Sequence, residues 1–264
     1  MNSDILITLF LPMIAGLVYF FMAYEVKRTS KFRALMFGEI GFRKLETAFI
    51  LFGIYFITRP LQNILGPYPM PVIINCIRQF FLMAIIAPSI LVAIFHWVPA
   101  QSGAPNSSKF AAYVVAVLMA VVFVLINTAV ATSSQIIYSG ALFDIHDAVW
   151  FSEGAAPFQL IAIHLICQFV SPVGFFLLSV AYIKHRRHNY TLANVYNLMP
   201  TKWKYLEISL IVFASSFIIA GLAVAIGRYY TYIWAIYFVG AIISGLFGLK
   251  SIKLPPREQP SDLK

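Results

Sequence analysis

Long apolar segments alternate along this chain with short segments rich in Lys, Arg, Pro and Gly. Each apolar segment reaches about 20 residues, the length at which an α-helix crosses the hydrocarbon core of a bilayer. None shows the ten-residue alternation of a membrane β-barrel. The pattern therefore predicts an all-α integral membrane protein, a seven-transmembrane-helix bundle. The seven helices are expected near residues 5–24, 45–65, 70–95, 109–133, 157–183, 206–226 and 230–249.

The connections between these segments differ in character. Residues 66–69, Gly-Pro-Tyr-Pro, are typical of a tight hairpin. Connection 27–45 alternates apolar and cationic residues, which fits an interfacial amphipathic helix. Connection 135–156 is apolar enough either to lie on the membrane or to fold into the mouth of the bundle. We expect one domain, residues 1–254, followed by a polar tail at 255–264.

Charge predicts the orientation of the bundle. Hydrophobic residues make up 61% of the chain and charged residues 11%, whereas charged residues make up about a quarter of a soluble domain. The nineteen Lys and Arg fall in connections on one side of the membrane, with the exceptions Arg59, Arg78 and Arg228. Because cytoplasmic loops retain Lys and Arg, the N-terminus is expected outside and the C-terminus in the cytoplasm. This distribution favours a multi-pass protein of the plasma membrane, specifically a bacterial inner membrane.

The net charge of +9 also bears on partners. The cations lie next to the predicted membrane segments, so topology and anionic lipid headgroups explain them, and nucleic acid is not expected. Residues 1–4 carry no cation and no small-residue cleavage site follows, so the first segment is interpreted as a retained helix and not a signal peptide. Cys76 and Cys167 both lie inside apolar segments and form no metal-binding or disulfide motif.

Polar residues inside the predicted helices mark a candidate site. Arg59, Gln62 and Asn63 stand at i, i+3 and i+4, and so share one helical face. The same spacing recurs downstream in the next helix. Both arginines are predicted about 10–13 Å from the outer end of their helices. An Arg facing lipid near the bilayer centre costs about 3 kcal/mol, so these faces belong inside the bundle. The predicted ligand-binding residues are Arg59, Gln62, Asn63, Asn75, Arg78, Gln79, Asn127, His164 and Gln168.

Two interpretations of this cluster remain open. In the first, it is an outward-facing pocket whose arginines bind a carboxylate or phosphate, since guanidinium groups match those anions. In the second, it is a structural network: Arg59 extends to the outer headgroups, and Arg78 pairs with a loop carboxylate or caps the hairpin carbonyls. A lid over the pocket is expected in connection 135–156. Its residues would be Phe143, Asp144, His146, Asp147, Trp150, Phe151 and Glu153.

Other chemistries have weak support. Asp144, His146 and Asp147 are compatible with a metal, but no second His stands at helical spacing. A haem between His96 and His164 would need partners at different depths, and the last helix has no internal lysine for retinal. His185 and His188 are interpreted as parts of a solvated inner loop. No HExxH, GxSxG or P-loop motif occurs, so no catalytic residue, metal or cofactor is predicted.

Three local patterns concern packing. Pro60 follows Arg59 directly and is expected to kink its helix. Gly240, Ser244 and Gly248 form a small-residue stripe, either a contact within the bundle or a homodimer interface. An aromatic cluster is expected either as an interfacial belt or as walls of the pocket. Its members are Tyr229, Tyr230, Tyr232 and Trp234.

These features favour a membrane receptor or sensor module for signal transduction. In this hypothesis a small anionic or amphipathic ligand binds from outside, and a change in helix packing reaches a cytoplasmic signalling partner or output domain. In helix number and orientation alone, the chain resembles the seven-helix sensor modules that precede kinase, cyclase or phosphodiesterase domains in bacterial inner membranes. After Leu249 fifteen residues remain, so the output domain is expected either in a longer protein or in a separate partner.

Two alternatives stand beside the receptor. A transporter or channel for a small solute would need a polar path that continues inward, for which the sequence offers Glu46, Glu207 and Ser209. A structural subunit of a larger membrane complex would need an apolar surface for its partners.

Overall fold

The structure, a computed structural model, describes residues 3–37, 39–97, 106–140, 143–150, 158–192, 199–225 and 231–252. These residues form seven long helices and one β-hairpin. The helices are α1 (3–37), α2 (Glu39–Ile64), α3 (70–97), α4 (Asn106–Val130), α5 (158–192), α6 (Met199–Ala225) and α7 (Thr231–Ile252), and the strands are β1 (Ala131–Ser139) and β2 (Asp144–Trp150).

Within the described residues, three helices contain a π-helical segment. These segments are Leu6–Phe10 in α1, Leu82–Ile86 in α3 and Phe169–Gly174 in α5. The irregularity in α5 has a local cause, because Pro172 lacks an N–H and Ser171 is extended, with φ −141° and ψ 122°. The Ser171 hydroxyl donates a hydrogen bond of 2.8 Å to the carbonyl of Met83, in the π-helical segment of α3. The two irregular segments therefore support each other.

Within the described residues, six helices are long and apolar enough to cross a membrane, namely α1 and α3 to α7. This confirms the prediction of a multi-pass helical membrane protein. The remaining helix, α2, carries Arg59, Gln62 and Asn63 near the end that faces the β-hairpin, which makes it less apolar. This end of the bundle is called the outer end below, and the opposite end is called the inner end. These three side chains are buried against protein, so the polarity of α2 is directed into the bundle.

The helices form a closed ring with one helix outside it. Each of α1, α2, α3, α5, α6 and α7 packs on its neighbours in that order, and α7 returns to α1. Helix α4 packs on the outside, against α3 and α5. Its far side exposes Phe110, Leu118 and Leu125, as expected for a surface in contact with lipid. The ring encloses an aromatic core around Phe52 and Phe213.

The structure corrects the prediction between α1 and α2. The helical backbone of α1 continues to Phe37, and α2 begins at Glu39, where the sequence suggested a separate interfacial helix over 27–45. The reason is burial: Val26, Phe42 and Leu45 pack into the core, so the amphipathic pattern of this connection belongs to the ends of two long helices.

The outer connection between α4 and α5 corrects the all-helical prediction. The fourth helix ends at Val130, and residues 131–133, which were predicted to be helical, begin strand β1. Strands β1 and β2 pair antiparallel from Ala131 opposite Trp150 to Ser139 opposite Asp144. The segment is rich in Ile, Tyr, Thr and Ser, and Ile, Tyr and Thr are common in strands. Its apolar residues resemble an extension of the fourth helix in the sequence. In the structure, the partner strand supplies its backbone hydrogen bonds.

The hairpin packs against the outer ends of the helices. Strand β2 contacts α2 and α3, while β1 contacts α4 and the start of α1. The backbone N–H of Tyr68 donates a hydrogen bond of 2.7 Å to the Ser134 hydroxyl, and Ile145 is completely buried. Of the two placements expected for this connection, the described part adopts the one against the bundle.

Candidate functional site

A small cavity of about 40 Å³ lies among α2, α3, α4, α5, α6 and α7. Six of the predicted site residues line it: Arg59, Asn75, Gln79, Asn127, His164 and Gln168. The rest of the described lining is aromatic or small, and consists of Tyr55, Phe123, Phe217, Ala220, Gly221, Trp234 and Tyr237. The other predicted residues, Gln62, Asn63 and Arg78, are buried nearby but do not line the cavity.

Arg59 is directed into the bundle. Its side chain is only 4% exposed, and the guanidinium carbon lies 4.7 Å from the centre of the Trp234 ring on α7. This is a cation–π contact. The alternative in which Arg59 extends to the outer headgroups is therefore wrong. Trp234 is a wall of the cavity, whereas Tyr232 is 60% exposed and fits the interfacial belt.

Arg78 has a different role, because its hydrogen bonds join α3 to α2. Its Nε and Nη2 atoms donate to the carbonyl oxygen of Tyr55 at 3.0 and 2.9 Å, and Nη1 donates to Oε1 of Gln62 at 2.6 Å. Pro60 has no N–H, so the carbonyl of Phe56 lacks its helical hydrogen bond. This carbonyl follows directly after that of Tyr55, the acceptor for Arg78. Among the described residues, Arg78 bonds to a backbone carbonyl and to an amide, so it is part of a structural network between α2 and α3.

A chain of hydrogen bonds crosses the cavity wall. The amide nitrogen of Gln79 on α3 donates to the Tyr55 hydroxyl on α2 at 3.2 Å, and the Tyr237 hydroxyl on α7 donates to the same oxygen at 3.3 Å. A phenol oxygen accepts two hydrogen bonds and donates one. Since Tyr55 accepts both of these, its own proton remains available to a group in the cavity.

The opposite wall is built from α4, α5 and α6. His164 and Gln168, one turn apart on α5, are hydrogen-bonded through their Nε2 atoms at 3.1 Å. The His164 ring packs on Phe123 with centroids 4.6 Å apart. A Cβ atom at Gly221 would collide with the amide oxygen of Gln168, so this glycine allows α6 to approach α5 here.

Several buried amide atoms near the cavity have no hydrogen-bond partner in the protein. They are Nε2 of Gln62, both side-chain polar atoms of Asn63, and Oε1 of Gln79. An unsatisfied buried polar atom costs about 1–3 kcal/mol. Among them only Gln79, whose side chain is more than nine-tenths buried, lines the cavity.

An aromatic layer closes the cavity toward the inner side. The Phe213 ring lies 5.9 Å from Tyr237 in the cavity wall, 5.1 Å from Phe52 and 5.3 Å from Phe176, centroid to centroid. Beneath this layer is a second cavity of about 20 Å³. There the Ser244 hydroxyl lies 3.3 Å from the donating Tyr19 hydroxyl and 3.1 Å from the Ser209 hydroxyl.

The inner polar residues do not extend the outer cavity. Glu207 forms a salt bridge of 3.4 Å with Lys184, whose side chain is 57% exposed, and Ser209 bonds to Ser244. Glu46 is half-buried and lines neither of these two cavities in the described part of the chain.

The small-residue stripe of α7 is a contact within the bundle. Ser244 bonds to α1 and α6 through Tyr19 and Ser209. A Cβ atom at Gly240 would collide with Ser216 on α6, and one at Gly248 would collide with Met22 on α1. The helices approach closely on both sides of the stripe, so it does not present a surface to a second copy of the chain.

A wider cavity, about 570 Å³, is a groove between α3, α4 and α5. Ser108 is the one polar residue in its described lining, so it offers nothing to orient a polar ligand. In the hairpin, Asp144 accepts a hydrogen bond of 2.7 Å from the Ser139 hydroxyl. Within the described residues no group of His, Cys, Asp or Glu is arranged to hold a metal ion.

Some predicted features fall outside the described residues. These are Phe151, Glu153, Arg228, Tyr229, Tyr230 and the tail at 255–264. The described part of the hairpin contributes no residue to the cavity lining.

The fold and the cavity define a multi-pass helical membrane protein with a buried polar site between its helices. Comparison of the chain with protein-family models, curated proteins and solved structures gave no match.

Proposed function

We propose that this protein is a receptor-like membrane sensor that binds a small anionic ligand in the cavity around Arg59. The observation that carries the proposal is the combination of a polar cavity with a closed aromatic floor. A cavity lined by Arg, Asn, Gln and His can orient an anion. The packed rings of Phe52, Phe176 and Phe213 below it favour retention of the ligand over its passage.

The position of the cavity supports coupling between ligand binding and helix packing. Its lining comes from six helices, so an occupant contacts most of the bundle. Helix α6 approaches α5 closely at Gly221, against the Gln168 amide. A ligand that attracts Gln168 would therefore change the fit of α6, and the motion would extend along α6 and α7 to their opposite ends. A ligand shifts a conformational equilibrium only by its differential affinity for the two states.

The charge distribution completes the proposal. Lys and Arg concentrate at the helix ends opposite the hairpin, so the cavity would open outward from a bacterial inner membrane and the basic ends would face a cytoplasmic partner. The sensor would then report an extracellular or periplasmic solute to that partner.

The experiment uses the full chain in nanodiscs with sodium chloride, nitrate, bicarbonate, formate, acetate and phosphate at matched ionic strength. At least one salt is expected to raise the thermal unfolding midpoint of the wild type and to have no such effect on Arg59→Gln, because the cation that attracts the anion is gone. Arg43→Gln, at an exposed position, is the matched control and should respond like the wild type.

A reporter on the inner side tests signalling. Cys76 and Cys167 are buried, so a fluorophore can be attached at an introduced cysteine, Lys204→Cys, at the basic end of α6. Its emission is expected to change with the stabilising anion and to remain constant in the Arg59→Gln background. Rapid uptake of the same anion into proteoliposomes would instead support the transporter, and stabilisation only by a copurifying membrane protein would support the structural subunit.

A further inference from the structure

We infer that the ligand of the Arg59 cavity is a monovalent oxyanion of about four non-hydrogen atoms that carries one hydroxyl group, for which bicarbonate is the probe. This inference rests on the proposed function and names its ligand class. It depends on three properties of the cavity: its size, its charge, and the mixture of donors and acceptors in its wall.

Size limits the ligand first. The cavity measures about 40 Å³, and each water requires about 10–15 Å³ of such space. This volume accommodates about three waters or one ligand of similar size. Amino acids, sugars and nucleotides are too large for it.

Charge selects an anion. Arg59 places a permanently charged guanidinium, which carries several N–H donors, in the lining. Attraction between charges is stronger in such a low-dielectric interior than in water. An anion therefore gains more from this guanidinium than a small cation or a neutral solute does.

The donors in the wall suit an oxyanion. The Tyr55 hydroxyl accepts hydrogen bonds from Gln79 and Tyr237, which leaves its proton for the cavity. The amide nitrogen of Asn127 donates to the carbonyl of Phe123 at 3.0 Å and retains a second N–H. Together with Arg59 these groups surround the negative oxygens of the ligand.

One acceptor in the wall requires a donor on the ligand. Oε1 of Gln79 is buried and has no partner in the protein, while the nitrogen of the same amide is held by Tyr55 at 3.2 Å. A fully deprotonated anion presents only acceptors and would leave this oxygen unsatisfied. An oxyanion with one hydroxyl donates to Gln79 and accepts from Tyr55 and Arg59.

Bicarbonate and nitrate form a matched pair for the test. Both are planar, monovalent and built from four non-hydrogen atoms, but only bicarbonate has a hydroxyl. Their dissociation constants are measured by calorimetric titration of the full chain in nanodiscs, at equal ionic strength and a mildly alkaline pH. Wild type is expected to bind bicarbonate at least about tenfold more tightly than nitrate, the effect of one hydrogen bond to a charged partner.

Variants of three residues test which side chains produce the preference for bicarbonate. Gln79→Leu removes the acceptor and should bring bicarbonate affinity down to that of nitrate. If Gln79→Leu does not fold, Gln79→Met, which has an unbranched side chain, is used in its place. Tyr55→Phe should weaken both anions about tenfold, since both lose the same donor. Tyr113→Phe, which removes a tyrosine hydroxyl bonded to Ser89 at 3.0 Å outside the cavity, should leave both affinities unchanged.

The outcomes separate this inference from the proposed function. If nitrate and bicarbonate bind equally and Arg59→Gln abolishes both, the requirement for a hydroxyl is overturned and the anion sensor stands. If neither binds but another salt stabilises the protein through Arg59, the ligand class is overturned and the sensor again stands. If no salt acts through Arg59, both are overturned.

Discussion

In the inner half of the bundle the buried hydroxyls of Tyr19, Ser209 and Ser244 hydrogen-bond to one another. In the outer half the buried amides of Gln62, Asn63 and Gln79 keep atoms without a protein partner. The same ring of helices contributes to both regions, but the inner hydroxyls are paired with one another, whereas the outer amides keep unpaired atoms. The inner region is therefore a packed core, and the outer region retains hydrogen-bonding capacity that its packing does not use.

The difference has an energetic consequence. Each unsatisfied buried polar atom costs about 1–3 kcal/mol, and the net stability of a folded domain is only about 5–15 kcal/mol. Unsatisfied amides in the outer half are therefore expensive for stability alone. For Gln79, which lines the cavity, the proposed binding site would account for this cost, because stability is commonly given up for function.

The largest expected effect comes from breaking the aromatic layer that separates the two regions. Phe213 is 2% exposed and contacts the rings of Phe52 and Phe176. Phe213→Ala should lower the free energy of unfolding by about 3–5 kcal/mol, since a large buried ring leaves a cavity. Denaturant titration in mixed micelles measures the loss. Phe110→Ala, at a residue 72% exposed, is the control and should change little; equal losses would show that the layer is not the core.

The next effect concerns Arg78, which holds the outer region together. Arg78→Met removes the donors to the Tyr55 carbonyl and to Gln62. It should lower the free energy of unfolding by about 2–3 kcal/mol, because hydrogen bonds to charged groups are strong and their acceptors remain buried. Thermal and denaturant unfolding of the purified protein provide the measurement.

Comparison with Arg59 sharpens this prediction. Arg59→Gln should abolish stabilisation by the anion, whereas Arg78→Met should chiefly lower the stability of the unliganded protein. If the two variants lost anion response and stability in the same proportion, the division between a cavity arginine and a structural arginine would be wrong.

The smallest effects have opposite signs in the two regions. Asn63→Leu replaces a fully buried amide that has two unpartnered atoms with an apolar group of similar size, and should raise the free energy of unfolding by about 1 kcal/mol. Ser244→Ala removes a hydroxyl with two partners in the inner region, and should lower it by about 1 kcal/mol. Both are measured by the same titration in matched micelles; destabilisation by Asn63→Leu would mean that its amide contributes to packing after all.

Part of the candidate site could be predicted from the sequence. The spacing of Arg59, Gln62 and Asn63, together with the cost of a lipid-facing Arg, indicated a polar interior face. The different roles of Arg59 and Arg78 could not be predicted. Helical periodicity shows on which face of a helix a side chain lies, but not which residue of another helix it contacts. Only packing shows that Trp234 covers Arg59 and that the Tyr55 carbonyl binds Arg78.

The lining residues that the sequence did not point to as part of a site are Tyr55, Phe123, Phe217, Ala220, Gly221 and Tyr237. Aromatic and small residues are common in every membrane helix, so nothing in the pattern distinguishes these six. Tyr55 had one weak signal, since it lies one helical turn before Arg59 and shares its face. The hairpin of β1 and β2 was missed because the start of β1 continues the apolar segment of α4, so it resembled an extension of that helix.

The sequence by itself determined that this chain is a multi-pass helical membrane protein and that its intramembrane polarity lies toward one end. Both follow from the cost of placing backbone and charged groups in hydrocarbon, which acts on each segment separately. Only the tertiary structure decided that α4 lies outside a ring of six helices, that aromatic rings close the cavity beneath Tyr237, and that Gln79 presents an unsatisfied oxygen inside it. These depend on which side chains meet across helices, a choice made by shape and hydrogen bonding between segments distant in sequence.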